Sequence, residues 1–371
     1  MISFENRLKS LKDRRQGSRE RALLENNLSI FNSFDVRTKE RYEKLSESAP
    51  IKYAIGAMAP VDSRSTQISI EEGERIANTL LGMLSTSGIS AEKEIQGSVA
   101  LDIHIEGHSD VDMLVLKSDI VTVQSPKIDA TQYLPPKDNR PMVDIIKELR
   151  QQSEAKLKSR YHQAKVDCTG NKSIALSGGS LKRKVDIVPA CWYHSHDYQL
   201  TQEKHHKGVE IYHKGEHKLI SNQPFLHIKR VNDRDILYSG NLKKVVRLMK
   251  NLIADMPDYK KRVAKNLTSY DVTAIGYDMD EQLSCPYFSS LTLVEKLRAH
   301  LSVLVDVAAL RNLLEVPDGS RKVFDSENKV EALKTLHSEV TDLAKSIYKS
   351  LNPNSLNAYD SNQLLQKHIF I

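Results

Sequence analysis

Asp110 and Asp112 stand two residues apart in His108-Ser-Asp-Val-Asp112, and a third acid, Asp186, sits in the β-branched stretch Lys184-Val-Asp-Ile-Val-Pro189. On a strand, residues i and i+2 project from one face, so the first two carboxylates can hold divalent cations together. That spacing recurs by chance in many chains. What strengthens it is Gly97-Ser98, thirteen and twelve residues ahead of Asp110. A residue without a Cβ lets backbone approach a phosphate, and a serine hydroxyl with neighbouring N–H groups can donate to it. The chemistry such a set would serve is attack of a hydroxyl on an α-phosphate, where two Mg²⁺ (or Mn²⁺) ions neutralise the attacking and leaving oxygens. Carboxylates are the hard oxygen ligands those ions accept. Asp186, on an adjacent strand, would complete the ligation and take the proton of the acceptor hydroxyl.

These residues need a sheet to carry them. A turn at Gly97-Ser98 leads into a stretch where Val111, Met113 and Val115 alternate with Asp110, Asp112 and Leu114, the pattern of a strand leaving a turn. Strand-like segments at 172–176 and 184–189, running on to Trp192, flank Gly178-Gly179. Ser69 with Glu72 predicts a capping box opening a helix over 69–86, with Ile76, Leu80, Met83 and Leu84 on one face and Gly88 at its end. A second helix is expected over 142–160, with Pro141 near its start and Ile145, Ile146, Leu149 and Leu157 inward. From Leu242 the period turns helical: Val245, Leu248, Met249, Leu252 and Ile253 mark one helix, Leu293, Leu297, Leu301, Leu304 and Ala308 another, and 329–350 a third. The architecture expected is α+β, a small mixed sheet lobe packed against a helical lobe.

Residues 1–31 read as a helix whose Arg7, Lys9, Lys12, Arg14, Arg15, Arg19 and Arg21 precede an apolar stripe at Leu23, Leu24, Leu28 and Phe31. Its basic run reads as a solvated face, with a polynucleotide or partner contact as the alternative. A linker is expected near 46–66, where Pro50, Gly56 and Pro60 fall.

With 371 residues, 40% hydrophobic and 27% charged, the chain can bury a core, which excludes wholesale disorder and disulfide-dependent miniature folds. No apolar run approaches the roughly 18 residues of a membrane span, and the N-terminus lacks the apolar run and cleavage site of a secretory signal. No membrane insertion is expected, and the cytoplasm is the expected location. Cys168, Cys191 and Cys285, odd in number and far apart, fit reduced thiols. A net charge of +6 permits a polyanionic ligand without requiring one and leaves direct nucleic-acid binding open.

Gly97, Ser98, Asp110, Asp112 and Asp186 together resemble the nucleotidyltransferase superfamily that includes polymerase β. Within it, Gln96-Gly-Ser-Val99, His108-Ser-Asp-Val-Asp112, Val185-Asp-Ile-Val-Pro189, Lys207-Gly-Val-Glu-Ile-Tyr212 running into Pro224, and Val246-Arg-Leu-Met-Lys250 resemble the cGAS/DncV-like nucleotidyltransferases (CD-NTases). A weaker echo lies at Pro317-Asp-Gly-Ser-Arg321. Where the family often has a threonine in the strand after Gly-Ser, this chain has Ile103.

The resemblance implies a polymerase β-like sheet lobe over 50–225, a helical lobe over 226–351, an N-terminal helical segment over 1–49 and a tail over 352–371. It implies template-independent, metal-dependent joining of nucleoside triphosphates (NTPs or dNTPs) into a short cyclic or linear oligonucleotide. Pyrophosphate would be released, and a separate effector of bacterial antiphage defence would read the product. Lys250 would contact the triphosphate, with Lys244 and Arg247 as neighbours; Lys182-Arg-Lys184 would steer polyphosphate or simply discourage edge pairing. Transfer to tRNA or a protein hydroxyl, and a non-enzymatic nucleotide sensor, are the alternatives.

His194, His196, His205, His206, His213 and His217 crowd one stretch, but Cys191 is the only thiol nearby, so a polar, partly exposed loop is expected in preference to zinc. The tail is expected to be flexible or to pack on the helical lobe, and its Ser355 and Tyr359 are hydroxyls that could prime a chain.

Overall fold

The structure, a computed structural model, describes residues 3–26, 39–136, 138–353 and 358–370, with the backbone alone for 17–26. Three helices come first: α1 (Phe4–Asn26), α2 (Ala49–Met58) and α3 (Ser63–Ser85). Strand β1 (Ala91–Gln96) runs into the single turn α4 (Gly97–Ala100), and β2 (Val111–Val123) follows. After α5 (Met142–Arg160) come β3 (Lys165–Asp167), β4 (Ile174–Ser177), β5 (Val185–His194), α6 (His196–Thr201), β6 (Lys207–His213) and β7 (Lys218–Asn222). The rest is helical: α7 (Pro224–Leu237), α8 (Asn241–Ala254), α9 (Asp258–Ala264), α10 (Ser269–Asp278), α11 (Ser290–Asp306), α12 (Ala308–Leu313), α13 (Glu327–Leu351) and α14 (Asn362–Gln366).

Two units emerge. The sheet unit comprises Ser63–Leu101 and Ser109–Arg230; the helical unit gathers Met1–Asp62, Asp102–His108 and Val231–Ile371.

In the sheet unit the strand order is β1-β2-β5-β4-β3, with β6 pairing β5 and β7 pairing β6. Only β2 and β5 run parallel among these pairs. Alternation decides which residues go where. Val111, Met113 and Val115 of β2, with Val185 and Ile187 of β5, join Ile76, Leu80 and Leu84 of α3 and Leu149 and Leu157 of α5 in one buried cluster. The intervening Leu114, Leu116, Val188, Ala190 and Trp192 form a second cluster with Val209, Ile211 and Phe225. Asp112 and Asp186 share the parity of that second row, which puts them on the face opposite α3 and α5.

The helix expected over 69–86 begins six residues earlier, at Ser63. Ser69 and Glu72 are buried inside it: the Ser69 hydroxyl donates to the Ser65 carbonyl, and Glu72 accepts from Arg75 and from the backbone N–H of Lys182. A capping-box pattern has here been used for tertiary contacts within a longer helix. The Ile89 N–H returns to the Leu84 carbonyl at 3.1 Å, closing the helix around Gly88 as expected. The histidine-rich stretch is not a loop, since His194 ends β5, α6 follows, and His213 ends β6. Nor does Ile103 lie in a strand; it is buried in the turn region between α4 and β2.

In the helical unit, Val245, Leu248, Met249, Leu252 and Ile253 of α8 are buried, as are Leu293, Leu297, Leu301 and Leu304 of α11. Ala308 opens the separate helix α12, because α11 stops at Asp306. The basic run of α1 is solvated at Lys9 but not at its first arginines. Arg7 and Arg15 are buried; Arg7 pairs with Glu339 of α13, while Arg15 pairs with Glu40 and donates to the Pro60 carbonyl. Arg14 pairs with Asp255, which also accepts from Tyr53. Buried guanidinium groups persist only when charge and donors are matched, and each of these has a carboxylate partner. Leu28 and Phe31 of the expected stripe, and the side chains of Leu23 and Leu24, lie outside the described residues.

The tail packs on the helical unit: Leu364 and Ile369 are buried, and the Ile369 N–H donates to the Phe288 carbonyl at 2.7 Å. Tyr359 donates its hydroxyl to Glu295, and burial together with that bond pushes the phenol well above its ordinary range, the opposite of an activated nucleophile. Ser355 lies outside the described residues. The Pro317-Asp-Gly-Ser-Arg321 echo is a turn, in which Asp318 accepts from the Ser320 N–H and Arg321 pairs with the buried Asp271 at 2.7 Å. Among the described residues, no helix is long and apolar enough to cross a membrane.

Candidate active site

Sheet register assembles the candidate residues. In the antiparallel β1–β2 pair, Gln96 lies opposite Asp112, so Gly97 and Ser98 follow directly on the residue paired with that acid. In the parallel β2–β5 pair, Asp112 lies opposite Asp186. Three stretches far apart in sequence thus meet at one end of the sheet. Neighbouring strands lie about 4.8 Å apart, close enough for opposed side chains to interact.

Asp110 falls one residue outside β2, beside the Val111 N–H that donates to the Lys184 carbonyl at 3.1 Å. Burial raises the Asp186 carboxyl above its usual range and the charge of Asp110 adds to this, while the Ser173 hydroxyl and Lys184 act the other way. Asp110 and Asp186 therefore interact electrostatically across the strand gap.

Gly97 has φ +79°, a conformation L side chains rarely adopt, and a Cβ built there would lie 2.2 Å from Oδ2 of Asp112. The position needs glycine twice over, for its backbone and for the carboxylate pressed against it. Ser98 occupies the first turn of α4.

The donor set is what a hard divalent cation takes: carboxylate oxygens on a rigid sheet, beside a tight glycine turn. Among the described residues, no three His, Cys, Asp or Glu side chains are gathered closely enough to hold an ion as they stand. Asp186 accepts at Oδ2 from the Ser173 hydroxyl at 2.9 Å. Adjacent carboxylates repel until a cation compensates them.

The basic candidates divide. Lys182 and Arg183 belong to the turn before β5, a central strand, so they guard no edge; Arg183 donates to the Ser65 hydroxyl at 3.3 Å. In the helical unit Arg247 is buried and donates to the carbonyls of Met58 and Asp102, a structural role. Lys244 donates to Asn241 at 3.1 Å. Lys250 lies on α8, half-buried, near His104. Burial, with the charges of Lys250, Arg247 and Arg15, pushes that imidazole down to about 4.

Ser173 was invisible to spacing arguments. It precedes β4, and only the β4–β5 pairing, with Ala175 opposite Asp186, brings it to the acid.

A mixed sheet carrying a Gly-Ser turn and two strand-borne acids at one end is the polymerase β-like nucleotidyltransferase fold. No family model matches the chain. The cyclic dinucleotide synthase CdnE of Yersinia aleksiciae is 36% identical over 365 residues, 96% of this chain and 90% of that protein. The c-di-GMP synthase of Capnocytophaga granulosa is 31% identical over 322 residues, 81% of this chain and 87% of that one. Among solved structures, the STING-associated CdnE c-di-GMP synthase from Capnocytophaga granulosa superposes with a TM-score of 0.68 at 27% identity, covering 93% and 99% of the two chains. The chain belongs to the cGAS/DncV-like nucleotidyltransferase family. It is an enzyme, a nucleotidyltransferase that joins nucleoside triphosphates into a nucleotide second messenger.

Proposed function

We propose that the enzyme makes a cyclic dinucleotide at the end of the sheet where Asp112 lies opposite Asp186. That register, with Gly97 against the Asp112 carboxylate, is the observation that supports this reading most strongly. Asp110, Asp112 and Asp186 would hold two divalent cations, Mg²⁺ or Mn²⁺, which when bound neutralise charge on the attacking and leaving oxygens. Ser98 and the backbone after Gly97 donate to the polyphosphate. Asp186 accepts the proton of the acceptor ribose hydroxyl as its oxygen bonds to the α-phosphorus and the bond to the β-phosphate oxygen breaks, releasing pyrophosphate. A second such step on the linear intermediate closes the ring. By family, the product would instruct a separate effector in bacterial antiphage defence, and the STING association of a relative supports that placement.

Purified protein incubated with the four NTPs and dNTPs and Mg²⁺ or Mn²⁺ is expected to yield a soluble cyclic dinucleotide by mass spectrometry, with two pyrophosphates per product. Absence of soluble product, with label appearing only on added tRNA or protein, would overturn the reading.

Lys250 is assigned to the triphosphate. Lys250→Ala should raise the KM for NTP about tenfold, with a melting temperature close to wild type, since changes at part-exposed charges usually cost under about 0.5 kcal/mol. An unchanged KM removes Lys250 from the site.

Asp186 also carries a stability signature. Its carboxyl titrates higher folded than unfolded, so below the unfolded value both states are protonated and nothing is lost; above the folded value the charge costs stability in full. In cation-free buffer at neutral pH, Asp186→Asn should therefore melt higher than wild type, and the gain should vanish as pH falls below about 4. Differential scanning calorimetry across pH 3 to 8 reads this directly; a gain that persists at the acid end refutes it.

A further inference from the structure

Asp186 is held by a device assembled from α5 and the β3–β4 hairpin. The Ser173 hydroxyl donates to Asp186 Oδ2 at 2.9 Å, leaving Oδ1 for other partners. Ser173 is itself fixed through its backbone, for its carbonyl accepts from Nη2 of Arg150 at 3.1 Å. Arg150 is 1% exposed, and its guanidinium serves the whole turn between β3 and β4. Nη2 also donates to the Gly170 carbonyl at 2.6 Å and Nη1 to the Asn171 carbonyl at 3.1 Å, while Nε pairs with Glu154 at 2.8 Å.

The 168–173 turn has no ladder partner for these part-buried carbonyls, so side chains supply their donors. A planar five-donor guanidinium on a rigid helix meets several of them at once. Lys214 secures the same turn, its N–H donating to the Asn171 carbonyl at 2.9 Å and its Nζ to the Cys168 carbonyl at 3.1 Å. The turn is thus held by Arg150 and Lys214 while 169–172 stay exposed, and the held backbone includes the residue that touches Asp186.

We infer that Ser173 is a positioning residue for nucleotidyl transfer, holding the Asp186 carboxylate in its working orientation, and that Arg150 fixes Ser173 for this purpose. The inference rests on the assignment of Asp186 to the acceptor hydroxyl and deepens it. Neither residue needs to touch nucleotide. A carboxylate with one oxygen tethered presents the other in one direction, and losing such a tether typically costs 10–100-fold in activity or metal affinity.

The test compares Ser173→Ala, Ser173→Thr and Asp186→Asn in the full chain, measuring kcat, KM, melting temperature in Mg²⁺-free buffer, and affinity for non-hydrolysable analogues of the four NTPs. Ser173→Ala should lower kcat roughly 10–100-fold while KM and analogue affinity stay near wild type, with only the small drop in melting temperature that follows from losing one hydrogen bond to a carboxylate. Ser173→Thr, which restores the hydroxyl, should recover most of kcat. Wild-type kcat in Ser173→Ala beside an inactive Asp186→Asn overturns the inference and leaves the role of Asp186 intact. A kcat loss that threonine does not rescue also overturns it by making Ser173 merely structural. Wild-type turnover in Asp186→Asn removes the assignment of Asp186 itself, and the inference falls with it. Arg150→Met is expected to lower the melting temperature through the turn, so the Ser173 pair carries the decision.

Discussion

Asp112→Asn and Asp110→Asn should each abolish metal-dependent nucleotide incorporation, by ~10³-fold or more, while the protein remains folded. The magnitude follows from the charge being handled. Neutralising attacking and leaving oxygens is worth several kcal/mol, and about 4 kcal/mol corresponds to ~10³ in rate. Stability should not fall in parallel, because without cations these carboxylates add repulsion at one end of the sheet; Asp110 already raises the Asp186 carboxyl. Two measurements separate the cases. Product formation from NTPs should disappear, and so should the rise in melting temperature that Mg²⁺ with NTP confers on the wild type by binding the folded state. Wild-type turnover in either variant would move the reacting centre away from this end of the sheet.

Gly97→Ala should be nearly as damaging, for a different reason. A Cβ at this position would lie 2.2 Å from Asp112 Oδ2, so either the carboxylate or the β1–α4 turn must move. The left-handed backbone adds about 1 kcal/mol of strain for any L side chain. Activity should fall ~10²-fold or more, since a misplacement of about 1 Å can cost that much, and stability by about 1–3 kcal/mol. Gly88→Ala is the control: its φ is +75°, but a Cβ there meets nothing within 4 Å. That variant should show the strain cost in its melting temperature and keep full turnover. Equal activity losses in the two variants would reduce the Gly97 argument to backbone strain alone.

The two glycines also show where sequence reasoning reaches. Gly97-Ser98 could be singled out because a turn glycine beside a serine is a local signal, and Gly88 because helix ends are local too. Met142–Arg160 formed where its apolar period and Pro141 placed it, and the apolar stripe of α8 is buried, although burial extends around the helix to Val246 and Arg247 as well. These signals rest on the backbone geometry of the segment itself, and they held in three dimensions.

Signals that depend on what surrounds a residue did not. Ser69 and Glu72 satisfy a capping pattern, yet both are buried in mid-helix, because Glu72 has an N–H to accept from in the distant 178–184 turn. The arginines of α1 look like a solvated face, yet Arg7 and Arg15 are buried, since Glu339 and Glu40 are there to meet them. The strands of the histidine-rich stretch were masked by their charged and polar residues; β6 is recognisable only once β5 offers it an edge.

Composition, turn signals and strand alternation by themselves determined that this chain holds a mixed sheet with Asp110, Asp112 and Asp186 on strands or at their ends, and a glycine turn nearby. Those are properties of short segments, set by backbone sterics and a two-residue period. Only the tertiary structure decided that Gln96 and Asp186 both lie opposite Asp112, that Asp102–His108 joins the helical unit while its flanks belong to the sheet unit, and that Ser173 reaches Asp186 under the grip of Arg150. Pairing register and buried charge matching bring together residues tens of positions apart. Their energies come from contacts that no single segment contains.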